Sequence, residues 1–249
     1  MRSIGCIVVC LFLLMSCNVK DIGDCFDASG RIINQDFTVG AFSRILVNRD
    51  VALILSEGKE HRVRVQTGEN LMNDIDVKII ENQLVLTNNN TCNDVREAGV
   101  TKIFVTSPNI TEIRSSTQFD IRSNGVLTYP NLTLLSEDFF DKDSFTVGDF
   151  RLEIDNNMLR VVFNNLSHCY VSGKTNSLNV QYASGDGRFE GANLWALNVF
   201  VNHRGTNDII INPQESLRGR ISSTGRVVLK NNPPLVDVDL IFKGKLILN

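Results

Sequence analysis

Apolar and polar residues alternate over short runs along the first half of the chain, with β-branched types prominent. Alternation sends successive side chains to opposite faces of an extended backbone, so each run marks a half-buried strand. Phe42, Ile45 and Val47 carry it over 42–47, Val51, Leu53 and Leu55 over 51–55, and Val63 and Val65 over 61–67. Runs over 75–80 and 83–87 have the same character, and the polar turns Glu57-Gly58-Lys59 and Glu81-Asn82-Gln83 separate neighbours. Turns of this length join hairpins, so the N-terminal part is expected to hold longer paired strands. A helical period is missing after the first segment, with Glu69–Asp74 the one short helical-turn candidate. The class is all-β.

From about residue 110 the pattern changes to short strands at an even spacing. Ser177–Tyr182, Ala196–Val201 and Ser216–Ile221 each lead into a glycine-containing turn, at 184–187, 203–207 and 223–226, and then into a second strand. Met158–Phe163, followed by Tyr170–Gly173, adds one more unit, and Leu159, Leu178, Leu197 and Leu217 recur at steps of 19, 19 and 20. One such unit cannot bury its inward face alone. Units stacked about 4.8 Å apart put like residues over like and make a continuous core. The expected architecture is therefore a right-handed parallel β-helix, a solenoid with coils of about 19–20 residues and an internal leucine ladder; evenly spaced strands of a β-sandwich are the alternative. Its parts would be 36–110 with longer strands, 111–232 with regular coils and 233–249 as a C-terminal cap, where Pro233-Pro234 precede a last strand. Trp195, the single tryptophan, is expected to pack at a coil corner rather than to stack a sugar.

The first segment sets the compartment. Arg2 gives a positive start, and Ile4–Met15 is almost wholly apolar, which suits a signal peptide and is too short for a membrane span. The run ends in Leu14-Met15-Ser16-Cys17, the pattern of a bacterial lipobox. Residues 1–16 are thus expected to be removed and Cys17 acylated, with 17–35 a tether. Two or more acyl chains anchor stably where one does not, so the lipid bilayer is the first expected partner. Asn18, rather than aspartate, follows Cys17, which favours the outer membrane, with the chain facing the periplasm or the cell surface.

Composition removes other classes. The 249 residues hold 25 basic and 28 acidic side chains; losing 1–16 removes Arg2 alone and leaves 24 against 28, a net charge of −4. No basic excess exists to neutralise phosphates, so nucleic acid is not an expected partner. Cys25 and Cys92 lie in polar, loop-like surroundings and are a candidate disulfide in an oxidising compartment, whereas Cys169, inside a strand, reads as a small buried hydrophobe. His61, His168 and His203 stand apart from other ligand types. No metal spacing or cofactor motif is present, and the acidic run around Asp138, Asp141 and Asp143 is only a weak calcium candidate.

Taken in order, the signal segment and lipobox, the strand Phe42–Val47, Asn70–Ile75, Gln83–Leu86, Val105–Ile110 and the later Ser-Gly turns resemble the auto-transporter adhesin, head GIN domain family of bacterial extracytoplasmic proteins, from about Phe37 to Leu229. The resemblance implies a β-helical fold and, by analogy with autotransporter heads, adhesion; it carries no catalytic residues. The chain departs from the pattern at Ser115-Ser116-Thr117 and over 136–149.

The expected role is a membrane-anchored, adhesin-like module that binds a glycan or an envelope protein without catalysis. Arg204, Arg218, Arg220 and Arg226 are the candidate contact face. The alternative is a periplasmic envelope scaffold or sensor partner. A polysaccharide-active enzyme, with Asp186 and Asp208 facing one another from adjacent turns, ranks below both.

Overall fold

A computed structural model of the protein describes residues 29–90, 101–139 and 141–248. The leader and Cys17, Cys25 and Cys92 lie outside the described residues. The alternating runs of the first half form β1 (Ile32–Phe37), β2 (Arg44–Val47), β3 (Val51–Glu57), β4 (Arg62–Gly68), β5 (Ile75–Ile80), β6 (Gln83–Asn88) and β7 (Thr101–Ser107). Glu69–Asp74 is a 3-10 turn, with Leu71 and Met72 buried.

The expected right-handed parallel β-helix with coils of about 19–20 residues is not what the chain forms. It folds as one 17-stranded mixed sheet that curls into a nearly closed barrel. β4 runs antiparallel to both β1 and β7, and β5 antiparallel to β6. The cause is local at β5–β6, where Glu81 and Asn82 take φ of +48° and +65°. A two-residue turn of this kind joins antiparallel strands and cannot supply the crossover that a parallel neighbour needs. β3 and β4, on either side of Glu57-Gly58-Lys59, do not pair with each other. β7 lies between them, parallel to β3 and antiparallel to β4.

The second half continues through β8 (Glu112–Ser115), β9 (Ile121–Leu127) and β10 (Asn131–Ser136) into four long strands: β11 (Phe150–Phe163), β12 (Cys169–Tyr182), β13 (Phe189–His203) and β14 (Ile209–Ile221). β15 (Val227–Leu229), β16 (Leu235–Leu240) and β17 (Leu246–Ile247) follow. What the sequence suggests as two strands per repeat is one long strand, running from one turn to the next. Successive long strands pair in parallel, so residues a repeat apart stack in columns. Phe150, Cys169, Phe189, Ile209 and Val227 form one fully or almost fully buried column, and Phe163, Tyr182, His203 and Ile221 another. Rings pack directly within the second: Phe163 and Tyr182 have centroids 5.5 Å apart.

The leucine ladder is displaced at one rung. Leu159 pairs with Leu178, Leu178 with Val199 and Val199 with Leu217. Leu197 is only half-buried while Val199 is buried. The steps are thus 19, 21 and 18, because the register shifts within β12, β13 and β14. Side chains alternate with period two, so this displacement of two residues still leaves an apolar residue facing in. One core cluster runs from Phe42 to Leu229.

Candidate functional site

Three of the four register shifts fall at one level of the sheet; the fourth lies between Ala196 and Asn198 of β13, opposite Pro213 and Ser216 of β14. Between β9 and β11 the pairing jumps from Arg122–Arg151 to Val126–Glu153, so Ser123, Asn124 and Gly125 oppose Leu152 alone. Between β12 and β13 it jumps from Tyr170–Glu190 to Gly173–Leu194. Between β13 and β14 it jumps from Glu190–Ile210 to Trp195–Asn212. A bulge bends its strand and re-aims the side chains beside it. Here the bulges open two depressions that meet at Glu153. One, of about 570 Å³, has Ile154 and Gly173 in its lining, with Val126 and Trp195 beside them and Asp155 and Lys174 completing it. The other, of about 450 Å³, is polar and includes Arg122, Arg151, Tyr170, Glu190 and Asn193.

Gly173 is required where it stands. Its φ is +104°, and a Cβ there would come within 2.0 Å of the Ile154 carbonyl oxygen, so only glycine fits the close approach of β12 to β11. Trp195 is 44% exposed, a large aromatic surface facing solvent beside that glycine. Lys174 and Asp155 form an ion pair at 3.0 Å. In the polar depression Arg151 is held rigidly: its Nε donates to Asp120 at 3.1 Å, its terminal nitrogen to Asp149 at 2.9 Å, and its guanidinium carbon lies 4.0 Å from the Tyr170 ring centre. Burial works against its charge, but the Asp120 hydrogen bond and the charges of Asp120 and Asp149 raise its pKa on balance. Tyr170 is thereby fixed as a platform under a cation.

The residues singled out in the sequence are dispersed. Arg218 and Arg220 share one outward face of β14; Arg220 donates to Asn202 at 3.2 Å, and Arg218 lines a shallow hollow with Phe200 and Leu235. Arg226 is elsewhere, donating two hydrogen bonds of 2.8 and 2.6 Å to Asp208, while Arg204 lies in the turn after β13. Asp208 therefore carries a depressed pKa, chiefly from its Arg226 hydrogen bond, with Arg188 adding to it against burial. Asp186 instead accepts from the Thr206 hydroxyl at 2.7 Å. Each carboxylate thus has its own partners, and the two do not form a pair. Asp138 accepts from Asn165 at 3.0 Å and from Asn164. Asp141 and Asp143 line a different cleft, with Arg49, Asp50 and Phe145. Among the described residues no three His, Cys, Asp or Glu side chains are grouped to hold a metal ion. Cys169 is a buried free thiol whose pKa is pushed up, first by desolvation and then by Asp149.

Over residues 41–233 the sequence matches the family described as "Putative auto-transporter adhesin, head GIN domain". The chain belongs to the head GIN domain family. No curated protein matches it significantly. Solved structures share its fold at low identity. A "putative adhesin" from Bacteroides fragilis NCTC 9343 superposes with a TM-score of 0.78 at 20% identity, over 88% of this chain and 97% of that one. A "putative adhesin" from Parabacteroides merdae ATCC 43184 gives 0.66 at 15%, over 89% and 98%. A "putative lipid binding protein" from Parabacteroides distasonis ATCC 8503 gives 0.61 at 14%, over 89% and 99%. In this head GIN domain the groove beside Trp195 was hidden from sequence reasoning. The available signal was Gly125 and Gly173 inside strand patterns, where glycine often marks a bulge.

Proposed function

We propose that this head GIN domain protein is a lipid-anchored, adhesin-like module of the cell envelope that acts by binding, and that its ligand is a saccharide seated beside Trp195. The observation that carries the ligand class is the aligned set of bulges, which opens a groove where a half-exposed indole stands beside apolar floor and charged side chains. A sugar ring presents C–H groups on one face and hydroxyls at its edge. Trp195 and Val126, each 44% exposed, suit the first, and Glu153, Asp155 and Lys174 suit the second. The lipobox pattern Leu14-Met15-Ser16-Cys17 followed by Asn18 supports acylation of Cys17 and anchoring in the outer membrane, and the family's adhesin character supports a place in the cell envelope.

Trp195 is the chain's single tryptophan, so emission reports this groove alone. Titration with cello-, malto- and chitin-oligosaccharides of two to four units is expected to give a saturable emission change with at least one of them. Trp195→Ala should abolish binding of that oligosaccharide by calorimetry. Unchanged emission with all three series, together with quenching by vesicles of brominated phosphatidylcholine, would replace the saccharide with a lipid. For the anchor, Cys17→Ala is expected to move the protein from the membrane to the soluble fraction. Protease applied to intact cells should digest a surface adhesin; full protection would favour a periplasmic scaffold or sensor partner.

A further inference from the structure

The C-terminal end of the sheet leaves core columns uncovered. β16 pairs with β14 and β17 with β15, and among the described residues neither strand has a neighbour on its other side. Val236 lies under Leu217, Val238 under Gly219 and Leu240 under Ile221, so Val236 and Leu240 continue columns that are fully buried one strand earlier. Val236 is nevertheless 40% exposed and Leu240 56%, and Ile241 and Phe242 beside them are exposed as well. The outward side chains of the same strand are Asp237 and Asp239, which oppose Arg218 and Arg220 of β14. The edge thus presents backbone donors and acceptors, an apolar inner row and an acidic outer row.

We propose that the free edge of β16 is a docking site for an extended strand of a partner protein, one that alternates apolar and basic residues. Such a strand would extend the sheet by main-chain hydrogen bonds. Its apolar side chains would cover Val236, Val238 and Leu240, and its basic ones would meet Asp237 and Asp239, repeating the Arg–Asp opposition of β14 and β16. A second copy of this chain fits less well. Two β16 edges paired about a two-fold axis at Val238 set Asp237 of each copy against Asp239 of the other, and directly opposed like charges destabilise a sheet pair. Only β14 separates β16 from β13, but β16 lies along Ser216–Ile221 of β14 whereas Trp195 faces Asn212 at its other end, and the proposal does not rest on the saccharide reading.

The test uses the full chain in detergent and two fluorescein-labelled heptapeptides, one alternating valine with lysine and one alternating valine with glutamate. By fluorescence anisotropy the lysine peptide is expected to bind at least tenfold more tightly than the glutamate peptide. Asp237→Lys with Asp239→Lys should reverse that order. Asp36→Lys with Glu60→Lys, an equal change of net charge on exposed residues of the N-terminal part, should leave it intact. Circular dichroism checks that both variants are folded. Equal binding of the two peptides, no binding of either, or a preference that follows net charge in both double variants would overturn the proposal. Concentration-dependent dimerisation abolished by Asp237→Lys with Asp239→Lys would overturn it in favour of a second copy.

Discussion

Mild acid should weaken the fold through one residue, His203. The ring is fully buried in the column between Tyr182 and Ile221. Its Nδ1 accepts from the Gly205 backbone N–H at 3.3 Å, and its Nε2 donates to the Asn207 carbonyl at 2.8 Å. Both nitrogens are thus satisfied in the neutral ring, and a second ring proton would point at the Gly205 N–H. Burial accordingly lowers the pKa, opposed by the Asn207 hydrogen bond and the Asp208 charge. The unfolded chain titrates near 6.5, above the folded state. Below that pH the unfolded state binds more protons, so stability falls as pH falls, by up to about 1.4 kcal/mol per unit until the folded ring also titrates. From pH 6.5 to 5.0 the loss reaches at most about 2 kcal/mol; above pH 7 this contribution is complete and constant. Asp36, Asp76, Asp138 and Asp208, whose pKa values are lowered below the usual carboxylate range by their hydrogen bonds, act only as pH falls through about 4. Urea midpoints at pH 7.5, 6.5, 5.5 and 5.0 at fixed ionic strength measure the slope. His203→Gln offers a donor and an acceptor without a titrating charge and should flatten it. Parallel decline of the two proteins would refute the assignment.

Five further substitutions test the fold and the groove. The displaced ladder predicts that Leu197→Lys is tolerated within about 1 kcal/mol while Val199→Lys abolishes cooperative unfolding, since only the second puts a charge in the core; thermal melts of both decide it. Glu137 is 3% exposed and accepts from Arg114 and from the Phe139 backbone N–H, so Arg114→Ala strands a buried carboxylate at a cost of about 3 kcal/mol, read from urea unfolding, with Glu137→Gln expected to be milder. Gly173→Ala meets both a left-handed φ and the Ile154 carbonyl, which should cost at least about 2 kcal/mol and shift Trp195 emission by reshaping the groove.

Much of the local structure was legible. Alternation at 42–87 located strands that the fold contains, and the repeat after residue 110 located the long strands that stack in parallel. Pairing was less so, because alternation states which residues face in and not which strand lies beside which. β7 therefore separates β3 from β4 although the turn between those two invited a hairpin. The leucine ladder failed for a related reason. Leu197 and Val199 lie on the same side of an ideal strand, so the pattern alone cannot choose between them. The arginine face drawn from the sequence dissolved because Arg226 was already committed to Asp208, a contact between residues 18 apart that stacking creates and composition does not record.

The deviation from an even repeat and the candidate site have one origin. A perfectly regular stack of strands presents a flat outer face, with every side chain supported by the one above and below it and no concavity for a small ligand. Extra residues in β9 and β13 break that regularity at a common level, and they do so beside the exposed indole and the strained glycine. The cost is a set of interrupted pairings that the surrounding register must hold in place, which it does through the unbroken pairing at 177–182 and 198–203 on one side and at 169–170 and 189–190 on the other. A local rule broken where the neighbouring structure is most regular is a pattern expected of a binding site. The steps of 19, 21 and 18 are accordingly the part of the sequence's periodicity that marks the candidate site.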